Sequence, residues 1–280
     1  METVLFRTRD NRPVTDRTIA SALETVKAHD AKVLYMHTEL SFGMPVPGLS
    51  RGELLGCLLA VIRETGVPTL CVPTFTFSFC NGEDYDVQWS ASKMGVLNEY
   101  IRKLPEAVRS LDPLLSVAVI GDDRELADHL GHHSIGADST FDKLHRRDGV
   151  KFLFFGASPS KCFTYTHYVE ERERVPYRYD REFTGSIANG SEVWRDTYTL
   201  FVRYLNVVPT AEGKLESFML EKGWMTESVC GDGAISCVDE SVAYQAIVDK
   251  LRSDIDYFLA SPHPREGLDP EFRVSHMVAL

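Results

Sequence analysis

One stretch of this chain combines residue types that can move a proton. His167 and Glu170 lie three residues apart within 165–173, a segment whose composition is compatible with a helix. On a helix, residues three apart share a face. The carboxylate can then hold one imidazole nitrogen and leave the other free to take a proton from a nucleophile. The pair therefore has the form of an oriented general base.

Other interpretations of these residues are open. Histidine–glutamate pairs at helical spacing are also common as solvated or structural pairs. A zinc site is not indicated, because the HExxH arrangement needs two histidines four apart around a glutamate and only His167 is present; we expect no bound metal. Cys162 is close enough along the chain to act as an acyl-carrying nucleophile, but no activating arrangement is visible around it.

The elements that must position this pair alternate between strands and helices. Short apolar runs predict buried strands at 31–36, 69–73, 115–121 and 150–156. Helical apolar spacing, with helix-start residues at 15–18 and a capping-box pattern at 50–53, predicts helices from these starts and at 97–102, 124–130, 165–173, 214–222 and 241–259. Alternation at 193–204 predicts antiparallel strands.

This order of elements predicts an α/β fold. We expect a single domain over 1–280 with a central mixed sheet flanked by helices. Its core motifs lie in 31–185, and an antiparallel and helical elaboration occupies 186–260 in the C-terminal half.

Composition excludes several classes of function. The formal charge of −11, from 41 acidic and 30 basic residues, argues against a nucleic-acid partner. No run approaches the roughly 20 apolar residues that a membrane span needs, so we expect no membrane partner. The six cysteines include no CxxC pair and lie mostly in apolar runs, which indicates buried thiols in a reduced, cytoplasmic protein.

Five motifs follow one another between the first strand and the His–Glu pair. They are His-Thr-Glu-Leu-Ser-Phe-Gly at 37–43, Thr-Leu-Cys-Val-Pro-Thr-Phe-Thr at 69–76, Arg-Ser-Leu-Asp-Pro-Leu-Leu-Ser-Val at 109–117, Ser-Thr-Phe-Asp-Lys-Leu at 139–144 and Thr-Tyr-Thr-His-Tyr-Val-Glu at 164–170. In this order they resemble the motifs of the aminoglycoside 3-N-acetyltransferase family. The family has Ser-Ser where this chain has Thr38-Glu39, and proline where it has Thr140. Both departures affect the expected diphosphate contacts and leave the His–Glu pair intact.

The resemblance implies direct transfer of acetyl from acetyl-CoA to an amine, with His167 as the base and Glu170 orienting it. Because alkylamines are mostly protonated at neutral pH, a positioned base contributes directly to the rate. The resemblance also implies three sets of cofactor contacts. They are the early loop for the CoA diphosphate (His37, Thr38, Ser41, Phe42 and Gly43), the pantetheine contacts (Thr74 and Thr76) and the thioester contact (Ser116).

The sequence leaves the amine acceptor open. A polycationic aminoglycoside would need a carboxylate-lined cleft, for which the candidates are Glu83, Asp84, Asp86 and Asp180. A biosynthetic aminosugar linked to a nucleotide, for a surface polysaccharide or a natural product, would instead meet Arg178 among aromatic residues. A third alternative, a CoA-binding or carbohydrate-binding module without turnover, does not explain an intact His–Glu pair. The oligomeric state is equally open, a homo-oligomer included.

Overall fold

A seven-stranded mixed sheet forms the centre of the protein in a computed structural model that describes residues 2–210 and 212–274. Of the domain expected over 1–280, residues 1, 211 and 275–280 lie outside the described part. The described strands are β1 (Val4–Arg7), β2 (Pro13–Thr15), β3 (Val33–Thr38), β4 (Met44–Pro45), β5 (Thr69–Pro73), β6 (Tyr85–Asp86), β7 (Val108–Arg109), β8 (Val117–Gly121), β9 (Val150–Phe155), β10 (Arg178–Asn189), β11 (Glu192–Arg203), β12 (Met225–Cys230) and β13 (Gly233–Asp239). The described helices are α1 (Asp16–Thr25), α2 (Arg51–Arg63), α3 (Val96–Arg102), α4 (Thr140–His145), α5 (Pro159–Cys162), α6 (Tyr165–Arg172), α7 (Lys214–Glu221) and α8 (Glu240–Ser253).

The central sheet has the strand order β12-β13-β9-β3-β5-β8-β7. The middle strand, β3, pairs in parallel with both β9 and β5, whereas the outer pairings are antiparallel. Two smaller sheets have the orders β2-β1-β4 and β11-β10-β6. The predicted α/β class, with a central mixed sheet and an added antiparallel region, is therefore confirmed.

Side chains of the central strands alternate between two hydrophobic cores. Tyr35 and Phe154 enter the core that α4, α6, α7 and α8 cover, whereas Met36 and Phe155 enter the core that α1, α2 and α3 cover. Helices therefore cover both faces of the sheet. Across residues 2–210 and 212–274, every helix is too short or too polar to span a membrane.

Local start signals account for the predicted helices that form. Ser50 accepts a hydrogen bond from the backbone N–H of Glu53, and the Glu53 carboxylate accepts one from Ser50, which is the predicted capping box of α2. The helix predicted at 124–130 is wrong, because the chain makes one 3₁₀ turn at Arg124–Leu126 and then enters the left-handed region at His129, where φ is 47°. The late helix α8 ends at Ser253, before the expected 259.

The six cysteines are all free thiols. Cys71, Cys230 and Cys237 are buried, as predicted, whereas Cys57, Cys80 and Cys162 are only partly buried.

At Gly156, the end of β9 packs closely against the loop that follows β3. Its φ is 73°, and a Cβ at this position would lie 2.0 Å from the carbonyl oxygen of Glu39. The hydroxyl of Ser41 donates a 2.6 Å hydrogen bond to the carbonyl of Gly156. The close approach of the two backbones therefore requires a residue without a side chain.

We expect Gly156→Ala to destabilise the protein more than Gly66→Ala does. Gly66 has nearly the same φ, 72°, but no atom lies within 4 Å of a Cβ placed there. The control, Gly66→Ala, should lower the free energy of unfolding by about 1–2 kcal/mol from backbone strain alone. Gly156→Ala should lower it by about 1–3 kcal/mol more, because its Cβ would also clash with the carbonyl of Glu39. Denaturant unfolding of both variants measures this difference, and equal losses would contradict the proposed close approach.

Candidate active site

His167 and Glu170 lie on one face of α6 and contact each other directly. The Nδ1 atom of His167 is 2.5 Å from Oε2 of Glu170. The helix begins after Thr164, whose carbonyl oxygen accepts a 2.9 Å hydrogen bond from the backbone N–H of His167. Because 18% of the His167 side chain is exposed against 2% of the Glu170 side chain, the imidazole reaches a cavity while the carboxylate stays inside the protein.

Glu170 is an ionised carboxylate held by two residues of the following segment. Tyr177 donates its hydroxyl to Oε1 at 2.7 Å, and Nε of Arg178 is 2.8 Å from Oε2. Burial alone would raise the pKa of Glu170, but Arg178 and His167 outweigh it and lower this pKa to about 2. An ionised carboxylate only accepts hydrogen bonds, so its contact with His167 favours the tautomer with the ring proton on Nδ1, whereas Nη2 of Arg178, 2.8 Å from the same nitrogen, only donates and favours the opposite tautomer. In the tautomer that the carboxylate favours, the lone pair of the imidazole is on Nε2.

The imidazole itself is neutral at physiological pH. Burial lowers the pKa of His167 to about 4, and the guanidinium of Arg178 acts in the same direction, its Nη2 lying 2.8 Å from Nδ1. Glu170 opposes both effects without cancelling them. A neutral ring with a free Nε2 lone pair can accept a proton.

Two cavities meet at His167, and His167, Arg178 and Arg203 line both of them. The first, which we call the α7 cavity, also has Phe163, Lys214 and Met219 in its wall. The second, which we call the hairpin cavity, lies against β11 and also has Thr164 and Arg273 in its wall. The base therefore lies where a small molecule can approach from either cavity.

A third opening, which we call the β3 cleft, adjoins these cavities. Thr164 lines both the cleft and the hairpin cavity. The wall of the cleft also includes His37, Thr38, Glu39, Phe75, Phe77, Lys93, Met94, Asn98, Lys161 and Cys162. A ligand in the cleft can therefore extend toward the neighbourhood of His167.

Polar atoms in the β3 cleft are positioned by the ends of β3 and β5. Thr38 donates to Oδ1 of Asn98 at 2.7 Å, and Nδ2 of Asn98 donates to the carbonyl of Pro73 at 3.0 Å. His37 stacks on Phe154 with ring centroids 5.4 Å apart, and burial lowers its pKa to about 3. Its Nε2 atom is buried without a hydrogen-bond partner among the described residues. This orphaned nitrogen is available to a ligand of the cleft.

Of the eight predicted cofactor residues, His37 and Thr38 line the β3 cleft. The other six have partners within the protein. Phe42 is fully buried against Phe6 and Phe155, and a Cβ on Gly43 would meet the carbonyl of Arg7 at 2.3 Å. Ser41 bonds the carbonyl of Gly156.

The remaining three predicted cofactor residues are buried and hydrogen-bonded within the protein. Ser116 donates to the carbonyl of Thr74 at 2.7 Å, and Thr76 donates to the carbonyl of Pro113 at 3.0 Å. All three are at most 3% exposed, so they support the strand ends behind the cleft.

The structure separates the predicted acceptor residues. Asp86, next to the exposed Glu83 and Asp84, pairs with Ala188 of β10, which is ten residues or about 33 Å of extended strand from Arg178. Asp180 instead pairs with Arg174 at 2.9 Å and with His133 at 3.1 Å. Arg178 alone of the five lies against the His–Glu pair.

Sequence reasoning missed Arg203 and Lys214 as residues of these cavities. Arg203 lies directly opposite Arg178 in the register of the β10–β11 hairpin. The alternation at 193–204 indicates the strand but not its partner, so this neighbour could be found only by pairing the two strands.

The fold is therefore an α/β protein with a mixed sheet covered by helices, and a neutral imidazole lies at the junction of its cavities. A model of the aminoglycoside 3-N-acetyltransferase family matches residues 35–252, and the chain belongs to this family. Its predicted class, an N-acetyltransferase, is confirmed by this membership.

Solved structures share the fold at low sequence identity. Aminoglycoside acetyltransferase AAC(3)-Xa has a TM-score of 0.72 and 20% identity over 86% of this chain and 93% of that chain. AAC-IIIb in a binary complex with CoASH has a TM-score of 0.70 and 18% identity over 89% and 98% of the two chains. AAC-VIa bound to sisomicin has a TM-score of 0.70 and 17% identity over 85% and 97%. Comparison with curated protein sequences gives no match.

We expect the imidazole of His167 to remain neutral, with its proton on Nδ1, down to about pH 5. Replacing Arg178 by glutamine should raise the pKa of His167, because a positive charge that disfavours the imidazolium is removed. The exposed Arg195 on β11 provides a matched control, Arg195→Gln, which should leave this pKa unchanged. NMR of the ring nitrogens against pH measures the pKa of His167 and shows which nitrogen carries the proton. A titration of His167 near pH 6.5 in the unsubstituted protein would contradict the neutral imidazole.

Proposed function

We propose that this protein transfers the acetyl group of acetyl-CoA to an amino group of an aminosugar or aminoglycoside, with His167 as the general base. The observation that supports this function most is the contact between Nδ1 of His167 and the ionised Glu170, which leaves the Nε2 lone pair at the junction of the cavities. Membership of the family supplies the reaction class.

The proposed role of His167 is to take the proton from the acceptor amine as its nitrogen bonds to the acetyl carbon. The resulting imidazolium would be stabilised by Glu170, 2.5 Å away. Arg178 and burial favour return of the ring to the neutral form, because both lower its pKa. As the C–S bond of the thioester breaks, the departing thiolate of CoA would take up this proton and leave as CoASH, which resets the base. Holding the amine beside the thioester would supply the larger entropic share of the rate.

The β3 cleft is the proposed site of acetyl-CoA, which supplies an activated acetyl thioester when bound. Lys93 and Lys161 are exposed at the cleft and suit the phosphates of CoA, while Phe75 and Phe77 suit its apolar arm. The orphaned Nε2 of His37 provides one further polar contact. The related AAC-IIIb was solved with CoASH, which is consistent with this use of the fold.

The predicted cofactor residues that do not line the cleft are proposed to hold its backbone in place through hydrogen bonds. Ser41 fixes the loop to β9, and Ser116 and Thr74 fix the end of β5. Glu39 lines the cleft and adds one carboxylate beside the two lysines. We further propose a cytoplasmic location, where acetyl-CoA is formed and where the six free thiols remain reduced.

We expect His167→Ala to lower kcat by about two to four orders of magnitude, the range for loss of a general base. Glu170→Gln should lose less activity, since the imidazole remains. Acetyl-CoA should still raise the melting temperature of His167→Ala, because the cofactor occupies a different opening. CoA release from a panel of amines measures the rate, and His29→Ala, remote from the cavities, is the control.

Two results would contradict this scheme. If His167→Ala kept a near-normal kcat with a saturating acceptor, His167 would be excluded as the base. Absence of any melting shift with saturating acetyl-CoA in the unsubstituted protein would exclude the acyl-CoA function.

We expect Cys162→Ala to retain most activity. The thiol donates to the carbonyl of Ser158 at 3.2 Å, and burial, with Glu216 and Glu39, raises its pKa, so it is not a thiolate nucleophile. Acetyl transfer should therefore be direct. Incubation with radiolabelled acetyl-CoA alone checks this, because label retained on denatured protein and lost in Cys162→Ala would show an acyl-enzyme.

A further inference from the structure

The hairpin cavity extends from His167 into apolar surroundings. Its wall includes four buried residues of the core that α4, α6, α7 and α8 cover, and two partly buried residues. The buried residues are Leu115, Ile135, Leu200 and Val202, and the partly buried residues are Leu205 and Phe272. An apolar group that enters such a cavity leaves water without separating a polar group from its partner.

The charged side chains in the wall of the hairpin cavity already have partners in the protein. The ion pairs are Arg178 with Glu170 at 2.8 Å and Arg273 with Glu271 at 2.9 Å. Nε of Arg203 donates to the carbonyl of Val207 at 3.0 Å. A charged ligand would have to compete with these partners, whereas an apolar group would leave them in place. The cavity therefore suits an apolar group.

The hairpin cavity is also the smaller of the two cavities at His167. Its volume is about 40 Å³, against about 110 Å³ for the α7 cavity. An engineered apolar cavity of about 150 Å³ is large enough to bind benzene. A cavity of about a quarter of that volume has room for a short carbon chain and not for a sugar ring.

The two cavities differ in their relation to the β3 cleft, the proposed site of acetyl-CoA. Thr164 lines both the hairpin cavity and the cleft, whereas no described residue lines both the α7 cavity and the cleft. The α7 cavity instead has the hydroxyl-bearing residues Ser160, Thr166 and Thr210 in its wall, which suit the hydroxyls of an amino sugar. The α7 cavity therefore fits the acceptor, and the hairpin cavity fits the acyl end of the donor.

From this arrangement we propose that the hairpin cavity binds the acyl chain of the CoA thioester, and that chains of three or four carbons, propionyl and butyryl, bind more tightly than acetyl. This inference rests on the proposed acyl-CoA function and defines the class of donor. The transfer keeps the same balance. The amine nitrogen bonds to the acyl carbon, the C–S bond breaks, and CoA leaves as CoASH with the proton that His167 took from the amine.

The test measures donor binding and needs no identified acceptor. CoA, acetyl-CoA, propionyl-CoA, butyryl-CoA and hexanoyl-CoA would be titrated calorimetrically into the protein. We expect the Kd to fall about 4-fold from acetyl-CoA to propionyl-CoA and about 15-fold from acetyl-CoA to butyryl-CoA, because each added methylene leaves water. Hexanoyl-CoA should bind more weakly than butyryl-CoA, because its chain is longer than the cavity.

Variants at Leu205 change the size of the hairpin cavity in both directions. Leu205→Ala enlarges the cavity, so hexanoyl-CoA should bind more tightly than butyryl-CoA. Leu205→Phe fills the cavity, so butyryl-CoA should lose its advantage over acetyl-CoA. Leu215→Ala alters the wall of the α7 cavity and is the matched control, which should keep the order of the unsubstituted protein. Phe272→Leu, at a partly buried wall residue, should favour hexanoyl-CoA and covers the case in which neither Leu205 variant folds.

Three results would overturn the proposal. Acetyl-CoA could bind as tightly as propionyl-CoA and butyryl-CoA, the order of chain lengths could be unchanged in every folded variant of the hairpin cavity, or Leu215→Ala could shift the order in their place. Failure of the acyl-CoA function has a different signature. In that case neither CoA nor any of its thioesters would produce heat or a melting shift, and both proposals would be wrong.

Discussion

The buried carboxylate of Glu170 is the interaction on which the site depends. It joins α6 to the segment that opens β10, because His167 lies on the helix and Tyr177 and Arg178 precede or begin the strand. A buried ion pair that loses one partner leaves an uncompensated charge, which typically costs about 3–5 kcal/mol. The carboxylate of Glu170 therefore both orients the imidazole of His167 and holds the start of β10 against α6. A change at Glu170 affects both contacts.

The same contact sets the charge state of the imidazole through opposed influences. Glu170 favours the protonated ring, while burial and Arg178 favour the neutral ring and prevail in the resting protein. A residue held neutral beside a carboxylate is suited to brief proton transfer rather than to permanent ion pairing. The cationic neighbours thus act on the base directly, because they lower its pKa.

Features fixed by local sequence could be predicted, and features fixed by strand pairing could not. The His–Glu pair follows from a spacing of three residues on one helix, and the strands at 69–73 and 150–156 follow from unbroken apolar runs. By contrast, β12 is a half-exposed edge strand without such a run. The position of Arg203 depends on a register that no local pattern reports.

The predicted cofactor residues show that residue type alone does not fix the hydrogen-bond partner of a side chain. Ser41 and Ser116 carry hydroxyls that suit a phosphate or a thioester, yet each donates to a backbone carbonyl of the protein. The hydroxyl type is visible in the sequence, but its partner depends on which backbone passes within hydrogen-bonding distance. The fold sets that distance, so the partner is a tertiary property.

Helix α6 and the β10–β11 hairpin contribute different groups to the site, which has an evolutionary consequence. Tyr177 and Arg178 are the hairpin-side residues that hold Glu170, whereas Arg203 stands on the opposite strand, β11. A lineage can therefore exchange the residue at 203 after gene duplication while the groups that hold Glu170 are inherited unchanged.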